Sequence, residues 1–511
     1  MSEHRSVWLA TADRPEYPAL DGDVEVDVAV VGGGITGLTT AVLLQRDGAR
    51  VALVDAGRLG DGTTGGTTGK VTSQHTLVYA DLLTKHGPER ARMYAEANQA
   101  GVETVAELVA DAGADCQFER APAYVWTNRV GERSGIEAEY EAAASLGLPA
   151  SLTQEIDLPF PVEVALRFDE QAHFHPVRYL TALARAFTER GGQVFEHTRA
   201  QGLDEDDDTA MVHTSGGRIR ADQVVVATLI PVFDRGGFFA KERPSRAYGV
   251  AAVLDGSVPT GMHISAGSPT HSTRPWHDGD RRGLIVVGGN HETGHGDATP
   301  GRFGELEQWA REHFDVASFE YRWSAQDYST VDEIPYVGRS PRTQRTFVAT
   351  GFRKWGLSNG TAAARMIADL VAGRDNPWVP AFDATRIGDT GTVAKLVKEN
   401  VHVGKMFVKD RLARRHAESV DHLARGEGGI VTIDGETVGA YRHPDGTLEV
   451  VSITCTHMGC TLAWNDAETS WDCPCHGSRF STEGTVLNGP AVRPLDRREV
   501  GADAPAGTRR R

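Results

Sequence analysis

Val26-Asp-Val-Ala-Val-Val31 and Val51-Ala-Leu-Val54 are short, mostly apolar runs. Runs of this length bounded by glycine or a turn predict buried strands. Between them stand Gly32-Gly-Gly-Ile-Thr-Gly37 and a helical stretch to about Asp47. His175-Pro-Val-Arg-Tyr-Leu-Thr-Ala-Leu-Ala starts an amphipathic helix that leads into a strand over Gln193–His197. A further helix is expected from about Ser358-Asn359, through Ala362-Ala-Ala-Arg-Met-Ile-Ala-Asp-Leu, to a stop at Gly373. Ser or Asn suits its first cap and Gly its end. Asp204–Asp208 reads as a solvated hairpin tip. Val393–His416 is helical in period and basic, with Leu396, Val397, Val401, Met406, Phe407 and Leu412 as an apolar face.

At 511 residues the chain is too long for one core, and two to four domains are expected. No internal repeat is visible. No apolar run reaches the roughly 18 residues of a spanning helix. The first 20 residues lack an apolar signal core, so the cytoplasm is the expected compartment. A net charge of −17 argues against nucleic-acid or anionic-membrane partners. The basic 393–416 stretch could lie on a membrane, but its apolar face is thin.

Chemistry concentrates in the cysteines. Four of the five, Cys455, Cys460, Cys473 and Cys475, stand close together with two histidines, in Cys455-Thr-His-Met-Gly-Cys460 and Cys473-Pro-Cys-His-Gly-Ser478. Paired Cys and His at such spacing is a metal-ligand pattern, and tetrahedral zinc is one reading. Zinc fingers usually put two Cys in one box and two His in the other, whereas here each box holds one Cys–His pair plus an additional Cys. The two boxes resemble those of Rieske proteins, over about residues 428–496. The resemblance implies a [2Fe–2S] cluster with Cys455 and Cys473 on one iron and His457 and His476 on the other. Such clusters span about −150 to +300 mV. It implies further that Cys460 and Cys475 form the disulfide of respiratory-type members, against the cytosolic default of free thiols. Ser478 is placed to donate to a cluster sulfur. Phe480 stands where high-potential members have Tyr, so one hydrogen bond is expected to be missing. Gly489-Pro490-Ala491 resembles the loop that shields the cluster.

The N-terminal pattern is strand, G-x-G-x-x-G, helix, strand, acid. Gly32 permits the tight turn, Gly34 the approach of a pyrophosphate, and Gly37 close helix packing, while Asp55 can bind ribose hydroxyls. Arg220–Thr228, Asp332-Glu-Ile-Pro-Tyr-Val-Gly338, Phe347–Phe352 and the helix that follows extend this pattern. Their order resembles the D-amino-acid-oxidase-like (DAO) flavoprotein superfamily over about residues 24–375, which implies FAD. Thr228 belongs to the second adenosine-proximal strand. Gly351, Gly356 and Leu357 would line the approach of the last helix to the flavin, with Lys354 and Trp355 near the ring or its entrance. The Gly62–His75 loop would wrap the ribityl chain and flavin, Thr68, Lys70 and Gln74 being candidate contacts. His75 is either a covalent flavin attachment or a packed histidine. The whole resembles a bacterial fusion family of DAO and Rieske domains.

The expected fold class is α/β: a Rossmann-like FAD-binding domain with an interleaved α+β substrate domain, then a small all-β Rieske domain. The boundaries read as an extended N-terminal arm (1–23) and the flavoprotein (24–378). Its FAD part takes 24–80, 165–235 and 335–378, and its substrate part 81–165 and 240–330. A helical connector (379–427), the Rieske domain (428–500) and a disordered tail (501–511) follow. Amino-acid-oxidising members place an Arg where this chain has Asp327. A buried carboxylate favours a cation or a hydrogen-bond donor over a carboxylate, which leaves an amine, hydroxyl or aldehyde substrate. Alternatively, Asp327 pairs with Arg322 or Arg353. Lys354, Trp355 and Asp327 are the candidate catalytic residues. The leading function is an FAD-dependent oxidoreductase that oxidises a small substrate and passes electrons through the cluster to a soluble electron-transfer partner. A ferredoxin-fed reductase and a non-catalytic redox sensor or electron carrier are the alternatives.

Overall fold

The computed structural model describes residues 3–295, 301–386 and 418–498. It divides into two compact units. One comprises Met1–His291 and Gly301–Leu396, the other Glu292–Pro300 and Val397–Arg511. The expected 393–416 helix and the 501–511 tail lie outside the described residues, as do residues 387–417 as a whole.

The first unit is built on two sheets. In the eight-stranded sheet, Val24–Val31 runs parallel to both Arg218–Val226 and Val51–Val54. Thr346–Thr350 extends it in parallel on the far side of Arg218–Val226, and Tyr336–Arg339 adds an antiparallel edge. Central parallel strands are covered on both faces and read as continuous apolar runs. Val30, Leu53, Val225 and Val226 are accordingly fully buried, each contributing roughly 1.5–3 kcal/mol. Ala200–Glu205 and Ala210–Thr214 form the expected hairpin beside this sheet. The nine-stranded sheet orders Val316–Thr330, Glu242–Leu254, Arg281–Glu292, Ser272–Asp278, Met262–Ser265, Glu119–Thr127, Val164–His173 and Lys70–Val71, with Ala150–Thr153 on a side branch. Helix Tyr79–Asp111, kinked at Gly87-Pro88, packs its second half on helix Gly356–Val371. A Cβ on Gly101 would come within 2.6 Å of the Ser358 carbonyl, so a glycine sets this close approach.

Four sequence expectations change. Val164–His173 and Lys70–Val71 pair within the larger sheet rather than serving the FAD part, because Lys70 and Val71 lie opposite His173 and Ala172. The N-terminal arm is not wholly extended. Ser6 caps a short helix, Val7–Thr11, and Val7 and Trp8 are buried; a cap followed by two apolar residues is enough to turn the chain into the core. The helix expected from Ser358-Asn359 begins at Gly356 with Trp355 as its cap residue and no side-chain cap bond. Ser358 and Asn359 are spent elsewhere, on His75 and on the Phe352 carbonyl. The connector assigned from 379 starts as ordered chain: helix Val379–Phe382 is followed by Arg386, which holds Asp332.

The second unit contains two four-stranded sheets, one over Glu418–Val451 and one over Ala463–Asn488. Box 455–460 lies between Leu448–Val451 and Ala463–Asn465, and box 473–478 between Ser470–Asp472 and Arg479–Phe480. Trp471, Leu462, Phe480 and the box cysteines share one buried cluster. No described helix is long and apolar enough to cross a membrane.

Candidate functional site

In the first unit the glycines of the strand–helix turn divide by role. Gly32 has φ +109°, and a Cβ there would strike the Ala227 carbonyl at 2.5 Å. A Cβ on Gly37 would lie 1.9 Å from the Gly32 carbonyl oxygen. These two are closed against the protein's own backbone. Gly34 differs: its Cβ would meet only the Thr64 hydroxyl, at 3.1 Å. At this helix N-terminus the cap residue Gly34 brings no side chain of its own, and such an edge fits a pyrophosphate. Asp55 takes the Gly33 N–H on one oxygen at 2.7 Å and the Gly57 N–H on the other at 2.8 Å, which fixes it at the strand end.

The loop after the second strand is tied down at both edges. Thr64 accepts from the Ile35 N–H, Thr63 donates to the Gln326 carbonyl, and the Trp323 indole donates to the Gly66 carbonyl at 2.9 Å. Trp8 donates to the Thr67 carbonyl at 2.7 Å. Thr68 is half-buried. Lys70 and Gln74 point to protein partners instead. The Lys70 ammonium donates to the His263 carbonyl at 2.8 Å and to Ser272 at 2.6 Å, and Gln74 donates to the Leu166 carbonyl. Both candidate side chains are thus engaged by protein groups. For Lys70 the cause is the strand Lys70–Val71, which pairs with His173 and Ala172 in the larger sheet. Thr228 donates to the Ile230 carbonyl at 2.7 Å and shapes the turn after its strand.

His75 is the packed alternative. Nδ1 lies 2.6 Å from the Tyr94 hydroxyl, and Nε2 lies 2.9 Å from both the Thr72 carbonyl and the Ser358 hydroxyl. Burial pushes its pKa down to about 3, with the Thr72 carbonyl opposing. Trp355 stacks on it at 4.9 Å.

Between Thr346–Thr350 and the last helix, Arg353 and Lys354 both hold positive φ, 52° and 70°. Two consecutive non-glycine residues in this region store strain in the turn. The turn presents the Lys354 N–H to the Asp327 carboxylate. Asp327 is buried, and burial raises its pKa to about 6 against the N–H bonds from Lys354 and Tyr328. Neither arginine considered as its partner takes that place, since Arg322 pairs with Glu307 and Arg353 with Glu333. Gly351 (φ +80°) passes so close to Thr330 that a Cβ would lie 2.3 Å from it. Gly356 and Leu357 begin the uncapped helix, Leu357 being buried.

One buried acid here has no sequence signal. Glu242 is the register partner of Thr330, and burial raises its carboxyl well above the ordinary range. One oxygen lies 2.9 Å from the Thr350 hydroxyl, while the other and the Thr330 hydroxyl are buried without hydrogen bonds to protein. Orphaned oxygens beside Gly351 mark polar capacity that a polar cofactor can satisfy. Asp332 is legible but its anchor is not. Arg386 reaches both Asp332 oxygens, at 2.7 and 2.9 Å, and lies 3.9 Å over Tyr336. Burial opposes the Asp332 charge, yet Arg386 holds its pKa below the ordinary value.

In the second unit the two boxes meet. Cys455 and Cys473 are free and buried, while Cys460 and Cys475 are joined. The Cys473 sulfur lies within 4.8 Å of both disulfide sulfurs. The His457 and His476 rings stand 5.2 Å apart and almost perpendicular. A hydrogen bond from Cys473, then the His457 N–H and the Ser478 hydroxyl, hold the Cys455 thiol below its ordinary pKa against burial. Ser478 also accepts from the Ala491 N–H at 3.0 Å, which fixes its hydroxyl. Two thiols and two imidazoles facing one another fit the donor set of a mixed-ligand [2Fe–2S] cluster. Phe480 is fully buried against Trp471 and offers no hydroxyl. Asp472 and Arg479 brace the second box from both ends. Their side chains meet at 2.8 Å, and Arg479 also donates to Ser470 and Glu468.

Comparison with known proteins agrees with both halves. The family model described as FAD dependent oxidoreductase matches residues 27–370, and that described as Rieske [2Fe-2S] domain matches residues 415–499. YhfW of Bacillus subtilis (strain 168), named as a Rieske 2Fe-2S iron-sulfur protein, is 36% identical over 490 residues, 96% of each chain. Gamma-glutamylputrescine oxidoreductase of Escherichia coli (strain K12) is 26% identical over 235 residues, covering 44% of this chain and 55% of that one. The crystal structure of glycine oxidase from Geobacillus kaustophilus superposes with a TM-score of 0.61 at 20% identity, over 71% of this chain and 99% of that one; this last likeness is one of fold.

Proposed function

The chain belongs to the FAD-dependent oxidoreductase family and carries a Rieske [2Fe–2S] domain behind it, and from this we propose that it oxidises a small amine, hydroxyl or aldehyde-type substrate and hands the electrons singly to an external acceptor. Bound FAD supplies a two-electron acceptor and the cluster a one-electron outlet. Asp327 carries the substrate reading. It stands buried where a carboxylate-binding arginine is expected, and its hydrogen bonds come from backbone N–H groups. A buried carboxylate binds an ammonium or a hydroxyl proton and repels a carboxylate. Its pKa near 6 allows it to hold a proton lost from such a group at neutral pH. Lys354 meets it from the positive-φ turn, and Trp355 follows, stacked on His75. Gly32, Gly34, Gly37, Asp55, Thr68, Gly351, Gly356 and Leu357 are assigned to FAD, and Cys455, His457, Cys473 and His476 to the two irons.

The test is anaerobic mixing with a panel of amines, alcohols, aldehydes and amino acids. Flavin bleaching by a non-carboxylate substrate, followed by reduction of the Rieske signal, is the expected result. Bleaching by amino acids alone would reject the substrate class. The buried Phe480 favours one second reading, because a missing hydrogen bond lowers the potential. If the cluster titrates below the flavin, a reductase fed by a ferredoxin-like donor replaces the outward flow.

A further inference from the structure

Glu292–Pro300 follows strand Arg281–Glu292 of the flavoprotein sequence, more than a hundred residues before the first Rieske strand, yet it belongs to the second unit. Two of its residues meet the second cysteine box. Gly294 has φ +72°, and a Cβ there would come within 2.6 Å of the Pro474 nitrogen and 2.9 Å of the Cys473 carbonyl carbon. Any other residue would push the box backbone away. His295 follows, with its Nε2 2.9 Å from the Pro474 carbonyl oxygen. A carbonyl only accepts, so Nε2 carries the proton in this bond. A turn bond from the His295 N–H to the Glu292 carbonyl, at 3.1 Å, holds the segment's shape.

The Pro474–Cys475 peptide is the useful contact. Its carbonyl takes the His295 bond, and the N–H at its other end is directed at the Cys473 sulfur. Proline fixes φ at Pro474, so ψ is the torsion left to turn this peptide. A donor on the carbonyl restrains that torsion and polarises the N–H at the far end. Hydrogen bonds to ligand sulfurs stabilise the more negative, reduced cluster and raise its potential.

We propose that His295 is a positioning residue for the iron–sulfur centre, aiming the Cys475 N–H at the Cys473 thiolate through the Pro474 carbonyl and thereby raising the cluster's reduction potential. This rests on the reading of Cys473 as a cluster ligand. It makes a residue of the flavoprotein sequence part of the cluster's surroundings.

The experiment is a redox titration of the full-length holoprotein and its His295→Ala and His295→Gln variants at one fixed pH, followed by electron paramagnetic resonance and iron analysis. The Ala variant should keep its iron and a Rieske signal while its equilibrium constant for reduction falls roughly three- to tenfold. At about 59 mV per tenfold for one electron this is a fall of about 30–60 mV. Gln offers an amide N–H at similar reach and should recover most of the wild-type value. An Ala variant that keeps its iron at the wild-type potential would overturn the proposal. If the Ala variant loses iron, the Gln variant decides: iron retained at the wild-type potential supports the role, and a lowered potential or lost iron rejects it. A wild-type protein with no Rieske signal would instead reject the ligand reading beneath it.

Discussion

The Asp327 carboxylate accepts the backbone N–H of Lys354, from a turn in which Lys354 holds φ 70°. Burial raises its pKa to about 6, against the N–H bonds from Lys354 and Tyr328 and the attraction of the Lys354 charge. Raised above its unfolded value, Asp327 contributes stability that is fully present below about pH 4 and lost as pH rises through about 6. Asp327→Asn keeps an acceptor for the Lys354 N–H and removes the titration. The variant should therefore gain on wild type between pH 4 and 7, by up to about 3 kcal/mol, in thermal unfolding across that range. In the same variant the rise of turnover with pH near 6 should vanish. Parallel stability curves for the two proteins would count against a buried, titrating Asp327.

Cofactor binding should separate by unit. Gly34→Leu fills the edge where a Cβ meets only Thr64, so flavin absorbance should be lost while the Rieske signal persists. His457→Ala or His476→Ala should do the reverse. Wild-type protein should carry about two irons and two acid-labile sulfides per cluster. Zinc in their place would refute the assignment.

The thiols should sort three ways. Alkylation of denatured, unreduced protein after cluster removal should label Cys116, Cys455 and Cys473, while Cys460 and Cys475 require a reductant first. Burial raises the Cys116 pKa to about 12, so in native protein it should resist alkylation at pH 8, because the thiolate is the nucleophile. Peptide mapping by mass reads both results.

Arg386 and Asp332 form a buried, two-point ion pair. Arg386→Ala leaves the carboxylate alone in the core, at a cost of roughly 3–5 kcal/mol, visible as a lowered denaturant midpoint of the flavoprotein transition. Arg386→Lys should recover only part of this, since an ammonium cannot meet both oxygens in one plane. An unchanged midpoint in Arg386→Ala would show that the pair is not formed in solution.

What was legible follows from how local each signal is. The glycine turn and the two cysteine boxes are dense, because their partners lie a few residues apart and spacing alone carries the chemistry. By residue type the helix after Thr350 reads as starting two residues late, since Ser358 and Asn359 are good caps but are engaged by His75 and Phe352. Lys70 reads as a loop lysine until one sees the strand that turns it inward. Glu242 opens a strand like many exposed acids, and its burial depends on register with Thr330, which no single segment contains. Asp327 stands out by its chemistry, but its partner is a backbone N–H and so carries no residue-type signature.

The interleaving of the eight-stranded sheet sets a timetable for the ribosome. Val24–Val31 pairs with Arg218–Val226, whose other edge waits for Thr346–Thr350. At synthesis rates of about 5–20 residues per second, the first apolar strand emerges roughly 10–40 s before its central partner exists. A hydrophobic strand with an open edge over that interval is a target for chaperones and a seed for mispairing. Yield of folded protein should therefore depend on translation speed and growth temperature as much as on the stability of the finished fold.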